Sequence, residues 1–574
     1  MTANAERPTS IRYVIIGVTF LAAFLLYLHR FCISYAQRYV KEDLGLTDEQ
    51  LGYCFSAFFF AYALGQVPSG WLSDRFGARV TLTCYILIWS FFTAMMGFTA
   101  GFAMLLGLRI ATGLGQAGAY PTSAGIVKSW IPIPVRGTAN ACVALGGRLG
   151  GGLAPLLTAT AIVMFVPSAE PVDFSQDDIL DVSAIEKQLI KGLRSDGPHD
   201  ATPELRVFSR LSHRVQAAVV LDAYVAVPRG IDSLPNSASR LAANRQALVD
   251  DLNSILTSRD FYDANAFITL KLEREAKADA EQLANLSDEQ LKRFNRLVLE
   301  AVFRDGLRKL YGRGWRPVMM LYGSLGLIVA AAFWFVFRRK PSSHPWSNSS
   351  EAELIESSEP DKKTDTQPVG GVPIKAIMTS RSLWLICISQ WGSNIGWVFL
   401  VTWLPLYLFE VHSVPLIERG LMASIPLWVG WIGMILGGLA TDRVTRRFGL
   451  RWRTLPIVIG RSCAMLAYLA CLLGPSAWTV TLLFAGVALF NDFCNPTSWA
   501  YKQDVGGRHV ASVHGWANMW GNFGATVSPI LLQLVISNHG WNAAFGTCAG
   551  AFLLSAITAY GVDARIPIVK EESS

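Results

Sequence analysis

Long apolar runs separated by short polar stretches recur along the chain, and one stretch of about 150 residues breaks the rhythm. A helix crossing a bilayer needs about 20 largely apolar residues. It must also satisfy its backbone polar groups internally. The pattern predicts an all-α membrane protein with twelve such helices, at 11–36, 51–73, 80–99, 101–124, 137–165, 316–337, 382–410, 419–441, 453–473, 476–498, 510–537 and 540–562. The run from Ile11 to Leu28 is too long for the core of a cleavable signal, and no small-residue cleavage site follows it. It is therefore predicted to be the first membrane helix.

The two halves of this pattern repeat. Gly70-Trp71-Leu72-Ser73-Asp74-Arg75 ends the second span, and Gly438-Leu439-Ala440-Thr441-Asp442-Arg443 ends the eighth. Pro121 and Pro155 are 34 residues apart, Pro496 and Pro529 are 33 apart, and Gly-Trp opens spans six and twelve at Gly314-Trp315 and Gly540-Trp541. Two six-helix halves are the internal symmetry of many transporter folds. The repeat also exposes an insertion, because Pro155 to Trp315 is 160 residues where Pro529 to Trp541 is 12. The expected organisation is membrane helices 1–5 over residues 1–165, a mainly helical soluble insertion over 166–313, and helix 6 over 314–337. A flexible linker follows at 338–380, then the second half at 381–562 and a tail at 563–574. Within the insertion, Ser287-Asp288-Glu289-Gln290 has the form of a capping box opening a helix toward Lys309.

Composition narrows the class. Hydrophobic residues make up 52% of the chain and charged residues 16%, below the roughly 25% charged of soluble domains. The net charge of +7 is uneven: 166–313 carries 20 bases and 23 acids, leaving 30 bases and 20 acids elsewhere. Nucleic-acid binding is set aside, because those bases lie in short loops between apolar runs. They include Arg75, Arg79, Lys128, Arg136, Arg338, Arg339, Lys340, Arg443, Arg446, Arg447, Arg451 and Arg453. The positive-inside rule then puts both termini in the cytoplasm of an inner-membrane protein and the insertion outside, where it has room for an unidentified partner. The nine cysteines lie in or beside apolar runs without metal-ligand spacing and are expected to be small buried hydrophobes. The chain has no P-loop, HExxH or GxSxG, so neither an enzyme nor an ATP-driven pump is expected, and no cofactor or metal is called for.

Residues 70–79, GWLSDRFGAR, resemble the loop motif between helices 2 and 3 of the major facilitator superfamily. The resemblance implies a latch between halves in which the Asp meets bases and helix ends, here Asp74, Arg75, Asp442 and Arg443. Finer features are similar to the anion:cation symporter family of hexuronate, galactonate and glucarate transporters, with sialin and the vesicular glutamate carriers. They are Tyr27-Leu28-His29-Arg30, the stretch 51–79, Arg109 with Gly113-Leu114-Gly115-Gln116-Ala117-Gly118 and Tyr120-Pro121, Trp403-Leu404-Pro405-Leu406-Tyr407-Leu408, and His344-Pro345 ahead of Glu353 and Ile355. The likeness covers the chain outside 166–313. It implies import of a small organic anion, a sugar acid, by alternating access with protons, from a bilayer-embedded site.

Ionisable groups inside a membrane are functional candidates by default. Tyr27, Arg30 and Ser34 share a helical face. The resemblance makes Tyr27 and Arg30 carboxylate ligands, with Tyr62 beside them; the competing reading of Arg30 is an arginine snorkelling to the interface. Arg109 and Gln116 share a face of the fourth span. The family carries a proton-coupling Glu where Gln116 stands and an Asp where His29 stands, so coupling here needs other carriers. Arg148, in the glycine-rich fifth span, is a substrate or ion-pair residue, and Asp492, on the face of Trp499, can partner Arg148 or Arg109. Asp492 and His29 are the proton-coupling candidates, Arg461 is read as structural, and the amides Gln390, Asn394, Asn518 and Asn522 suit sugar hydroxyls. Two other functions compete: a transporter-like sensor using the insertion, and an organophosphate antiporter. The antiporters rely on a basic residue in the seventh span, and 382–410 contains none.

Overall fold

The computed structural model describes residues 7–165, 172–193, 202–226, 240–267, 270, 274–303, 306–310, 314–356, 371–414 and 416–568. The chain opens with α1 (Ile11–Leu44), α2 (Asp48–Phe76), α3 (Ala78–Met96), α4 (Phe102–Ala117), α5 (Ala119–Trp130) and α6 (Arg136–Met164). Short helices follow: α7 (Val182–Leu193), α8 (Pro203–Phe208), α9 (His213–Ala226), α10 (Arg240–Ala243), α11 (Arg245–Leu256), α12 (Arg274–Glu281) and α13 (Asp288–Val302). The chain continues through α14 (Trp315–Val336), α15 (Ser349–Glu356), α16 (Ile374–Thr379), α17 (Arg381–Thr402), α18 (Leu404–Glu410) and α19 (Leu416–Phe448). It closes with α20 (Leu455–Cys471), α21 (Ala477–Val505) and α22 (Val510–Tyr560). Among the described residues ten helices are long and apolar enough to cross a membrane. The sequence pattern predicts twelve, and the two differences have local causes. The fourth predicted span is divided into α4 and α5 at Gly118. The last two run together as α22, with Gly540 non-helical inside it at φ 79°.

Two compact units result. The first comprises Met1–Ser34, Glu49–Leu156 and Met319–Ser574. Its helices approach closely through glycine: a Cβ on Gly146 or Gly150 of α6 would lie 2.4 or 2.1 Å from the carbonyl oxygens of Phe20 and Phe24 on α1. In the second half, Gly433 and Gly437 of α19 meet the carbonyls of Leu489 and Phe493 on α21 in the same way, both at 2.0 Å. Such small-residue contacts replace the hydrophobic drive that lipid does not supply. The repeat extends to the backbone. Gly77 and Gly449 each follow an Arg-Phe pair at a helix end and adopt φ 83° and 78°, a left-handed turn that favours glycine.

The second unit comprises Tyr35–Asp48 and Leu157–Val318. Its helices bury Ile185, Leu189, Val215, Val219, Leu248, Leu252, Phe261, Phe294 and Val298 in a core of its own. Arg296 lies inside that core, 2.9 Å from Glu300 and over the Phe174 ring at 4.4 Å. The capping box at Ser287 and Gln290 is present. Its helix, however, ends at Val302 rather than continuing to Lys309, because the chain turns into a bridge between Leu307 and Ile179 and Leu180 N donates to the Gly306 carbonyl at 2.8 Å.

Part of the predicted linker is ordered. Glu351 of α15 is fully buried and accepts from Ile11 N (3.2 Å), Arg12 N (3.1 Å), the Arg12 guanidinium (2.9 Å) and the Thr9 hydroxyl. A carboxylate thus occupies the positive, donor-rich start of α1. Residues 357–370 of the linker and 569–574 of the tail lie outside the described residues. The cysteines depart in part from the expectation of burial: Cys84 and Cys142 are exposed, and Cys463 is intermediate.

Candidate functional site

Arg30 sits on α1 inside the first unit, 7% exposed. Its guanidinium lies 4.2 Å from the Tyr62 ring centroid, 4.8 Å from Tyr27 and 5.5 Å from Phe58. Its Nε donates to Gln116 Oε1 at 3.2 Å, and Gln116 in turn donates to the Leu26 carbonyl at 3.2 Å. Arg109 of α4 lies on the same Phe58 ring at 4.3 Å and donates from Nε to the Cys54 carbonyl at 3.4 Å. Among the described residues each arginine keeps one buried Nη group with no acceptor. The two guanidiniums share the Phe58 ring, and aromatic faces hold such cations in place.

A third guanidinium belongs to an ion pair. Arg148 Nη2 lies 2.7 Å from Asp492 Oδ1 and its guanidinium packs 4.7 Å from the Trp397 ring. Of the two partners open to Asp492 in the sequence, the structure pairs it with Arg148. Asp492 is 1% exposed and also accepts from Asn491 at 3.2 Å and Asn495 at 3.1 Å. Gly147 leaves space for the rings: a Cβ there would lie 2.3 Å from the Tyr120 hydroxyl and 2.9 Å from Tyr27. Tyr27 meets Tyr120 at 6.1 Å, Tyr120 meets Trp499 at 4.9 Å, and Trp499 meets His514 at 5.1 Å. This line of rings joins α1, α5, α21 and α22.

Other predicted residues fall elsewhere. His29 stacks on Tyr322 of α14 at 6.2 Å, not on the Arg30 box. Asn394 donates to the Gly521 carbonyl at 2.9 Å, and Asn522 donates to the Asn518 carbonyl of its own helix at 2.9 Å. Gln390 keeps a buried Oε1 without a donor. Arg461 donates to Asn491 Oδ1.

The latch motif resolves into two related contacts. Asp74 of α2 accepts from Ala511 N (3.0 Å), Ser512 N (2.8 Å) and Ser512 Oγ (2.6 Å) at the start of α22. Asp442 of α19 accepts from Gly137 N (2.8 Å), Thr138 N (2.9 Å) and Thr138 Oγ1 (2.5 Å) at the start of α6. Each carboxylate caps a helix of the opposite half. The adjacent arginines are not brought into these contacts: Arg75 lies over the Trp71 and Phe76 rings of its own helix, and Arg443 is exposed. The basic partners are elsewhere, in Arg136 and Arg453, which hold Asp504 at 3.3 and 2.7 Å. Gln503 and Asn140 exchange hydrogen bonds of 2.9 and 2.8 Å across the same seam. Sequence reasoning missed this seam because the tenth span was predicted to end at 498, whereas α21 runs to Val505 and carries Lys502, Gln503 and Asp504 with it.

The profile of the Major Facilitator Superfamily matches residues 19–167 and 309–529. The chain is 25% identical over 589 residues to the Probable galactarate/D-glucarate transporter GudP of Bacillus subtilis (strain 168), covering 99% of this chain and 96% of that protein. It is 23% identical to the Probable galactarate/D-glucarate transporter GudP of Escherichia coli (strain K12), covering 97% and 94%. A D-galactonate transporter of Escherichia coli O6:H1 is 38% identical over 155 residues, covering 27% of this chain and 36% of that protein. Among solved structures the fold resembles a variant of the E. coli fucose:proton symporter FucP, with TM-score 0.55, 13% identity and coverage of 96% and 98%. With a latch contact in each half and a profile that spans both, the chain belongs to the major facilitator superfamily, among transporters and not enzymes.

Proposed function

We propose that this protein imports a sugar acid, a hexuronate, aldonate or aldarate, by alternating access across the inner membrane, coupled to protons. The observation that carries this reading is the pair Arg30 and Arg109, buried on one phenyl ring with an unfilled donor each. Such groups in a membrane interior call for an anionic partner. The relatives matched over nearly the whole chain are named for galactarate and D-glucarate, and their names point to the same chemistry.

In this reading twelve helices cross the membrane, counting α4 with α5 as one and dividing α22 at Gly540. Both termini are cytoplasmic, and residues 166–313 form an extracytoplasmic insertion. Arg30, Tyr27, Tyr62 and Arg109 take the substrate carboxylate, Arg148, Gln390, Asn394, Trp499, Asn518 and Asn522 line its path, and Asp492 carries the proton in preference to His29. The Asp74 and Asp442 caps hold the cytoplasmic side shut while the site faces outward.

Uptake of labelled galactarate, glucarate, galactonate and glucuronate into proteoliposomes, with and without an inward proton gradient, tests the reading. Wild type should accumulate at least one of them. Arg30→Ala should abolish that uptake while retaining its elution profile and melting temperature, since a carboxylate loses a charge-assisted partner worth about 1.5–3 kcal/mol. Arg30→Lys should also be poor, because a point charge lacks the planar fork. Uptake by Arg30→Ala at the wild-type rate would overturn the site. Failure of wild type to take up any of the four would overturn sugar-acid transport and favour the sensor.

A further inference from the structure

Three polar side chains of the first unit take no part in the hydrogen bonds and ion pairs described so far. Lys502 of α21, His514 of α22 and Gln66 of α2 are each 0% exposed. Among the described residues the Lys502 ammonium, both ring nitrogens of His514 and both amide atoms of Gln66 have no hydrogen-bond partner. They lie together. His514 packs edge-on to Trp499, three residues before Lys502 on α21, with ring centroids 5.1 Å apart. Gly515 then brings α22 onto the Gln66 backbone, where a Cβ would lie 2.4 Å from the Gln66 carbonyl oxygen.

Three carboxylates on α2 and α21 are engaged by other groups. Asp492 is held by Arg148. Asp504 is held by Arg136 and Arg453. Asp74 is held by Ala511 and Ser512. A buried ammonium without a paired carboxylate is costly in any protein interior, and inside a membrane such a group marks a ligand or ion path. The aromatic line Tyr27, Tyr120, Trp499 and His514 connects this cluster to the Arg30 box.

We infer that Lys502, with His514 and Gln66, is a second anion-recognition point that takes the distal carboxylate of a substrate bearing two acidic ends. The inference rests on the sugar-acid reading and narrows it to the aldarates. Arg30 and Arg109 hold one carboxylate, the carbon chain lies along the packed rings of Tyr120 and Trp499, and Lys502 donates to the other carboxylate, with the Gln66 amide and His514 imidazole available to its oxygens and the adjoining hydroxyl.

The test compares galactarate, with two carboxylates, and galactonate, with one, in wild type and Lys502→Met. The methionine keeps the length of the stem and removes the charge. Galactarate KM should rise about ten- to hundredfold, the range a lost charge-assisted hydrogen bond produces, while galactonate KM stays as in wild type. Purified wild type should melt at a higher temperature with galactarate, and the variant should lose that shift. An equal rise for both substrates, or no rise for either, overturns the inference and makes Lys502 structural, as does a wild type that transports galactonate alone. If neither substrate is taken up by wild type the transport reading fails, and the galactarate-dependent melting shift in wild type and Lys502→Met then decides the second site by itself. Should Lys502→Met fail to fold, Gln66→Leu and His514→Gln carry the same comparison.

Discussion

Replacing Asp74 or Asp442 by Asn should open both inter-half seams of the protein as a unit, not merely fray one helix. Each carboxylate accepts three hydrogen bonds, two from backbone amides of the opposite half and one from a hydroxyl, at 2.5–3.0 Å. Asn keeps the shape and one acceptor oxygen but loses the charge and places an NH2 group against donors. Losing a charge-assisted bond costs about 1.5–3 kcal/mol, and a helix N-terminus adds about 0.3–1 kcal/mol for a negative charge. A cost of about 2–3 kcal/mol to the latched state corresponds to a shift of roughly 30- to 150-fold in the latch equilibrium. Hydrogen exchange read by mass spectrometry in nanodiscs measures it directly, because the amides of Gly137, Thr138, Ala511 and Ser512 are the latch donors. Peptides covering 136–141 and 508–515 should both exchange faster in either single variant, since one closed state protects both seams. If Asp74→Asn accelerates only 508–515 and Asp442→Asn only 136–141, the two carboxylates are separate helix caps and the latch argument is refuted.

Gly150→Ala should destabilise the first unit, because its Cβ would lie 2.1 Å from the Phe24 carbonyl oxygen, which is backbone and cannot yield; a melting curve in detergent should show the loss, and an unchanged curve would mean α1 and α6 are not packed as described. The Glu351 cap on α1 should loosen in acid: burial alone would raise that carboxyl, but the hydrogen bonds from Thr9, Arg12 and Ile11 outweigh it and hold its pKa below the usual range. A depressed folded-state pKa stabilises fully above the unfolded value of about 4.3 and is lost as pH falls through the folded value, so exchange of amides 11–14, corrected for intrinsic rate, should rise below that value in wild type and be already raised at neutral pH in Glu351→Gln. Exchanging residues 172–310 for a short flexible linker should leave the first unit inserted and transporting, as the other half of the repeat connects its equivalent helices in 12 residues; loss of the folded elution profile would show that the second unit is needed for folding.

The fold was legible where physics writes it redundantly. Apolar runs, the paired Asp-Arg helix ends and the paired prolines all carry the repeat, and even the left-handed Gly77 and Gly449 follow matching Arg-Phe pairs. The Arg30 box could be partly read, since helical spacing places Tyr27 with Arg30, but Phe58 and Tyr62 come from α2, and no local pattern says which face of one helix meets another. The same limit explains the latch. Sequence adjacency suggested Arg75 and Arg443, whereas the carboxylates found backbone amides, and the bases Arg136, at the start of α6, and Arg453, between α19 and α20, hold Asp504 instead. Helix ends were the least legible, because polar residues at 499–505 of α21 look like a loop until the opposite half buries them.

The first unit holds a buried cation–anion pair, Arg148 and Asp492, as well as the two arginines on Phe58, Arg30 and Arg109. In the proposed transport cycle a substrate anion arriving at the rings near Arg148 would compete with Asp492 for that guanidinium. Release of Asp492 leaves a buried carboxylate with only amide donors, Asn491 and Asn495, and such a group is neutralised by a proton more cheaply than it is kept charged. Under the proposed coupling, substrate binding and proton uptake would become one event without an acidic residue at position 116. Gln116 holds Arg30 by Nε, and one Nη group of that arginine has no acceptor among the described residues. A glutamate in its place would neutralise that arginine, so in the proposed cycle an amide there and a carboxylate at Asp492 would divide between two helices the holding of the arginine and the carrying of the proton.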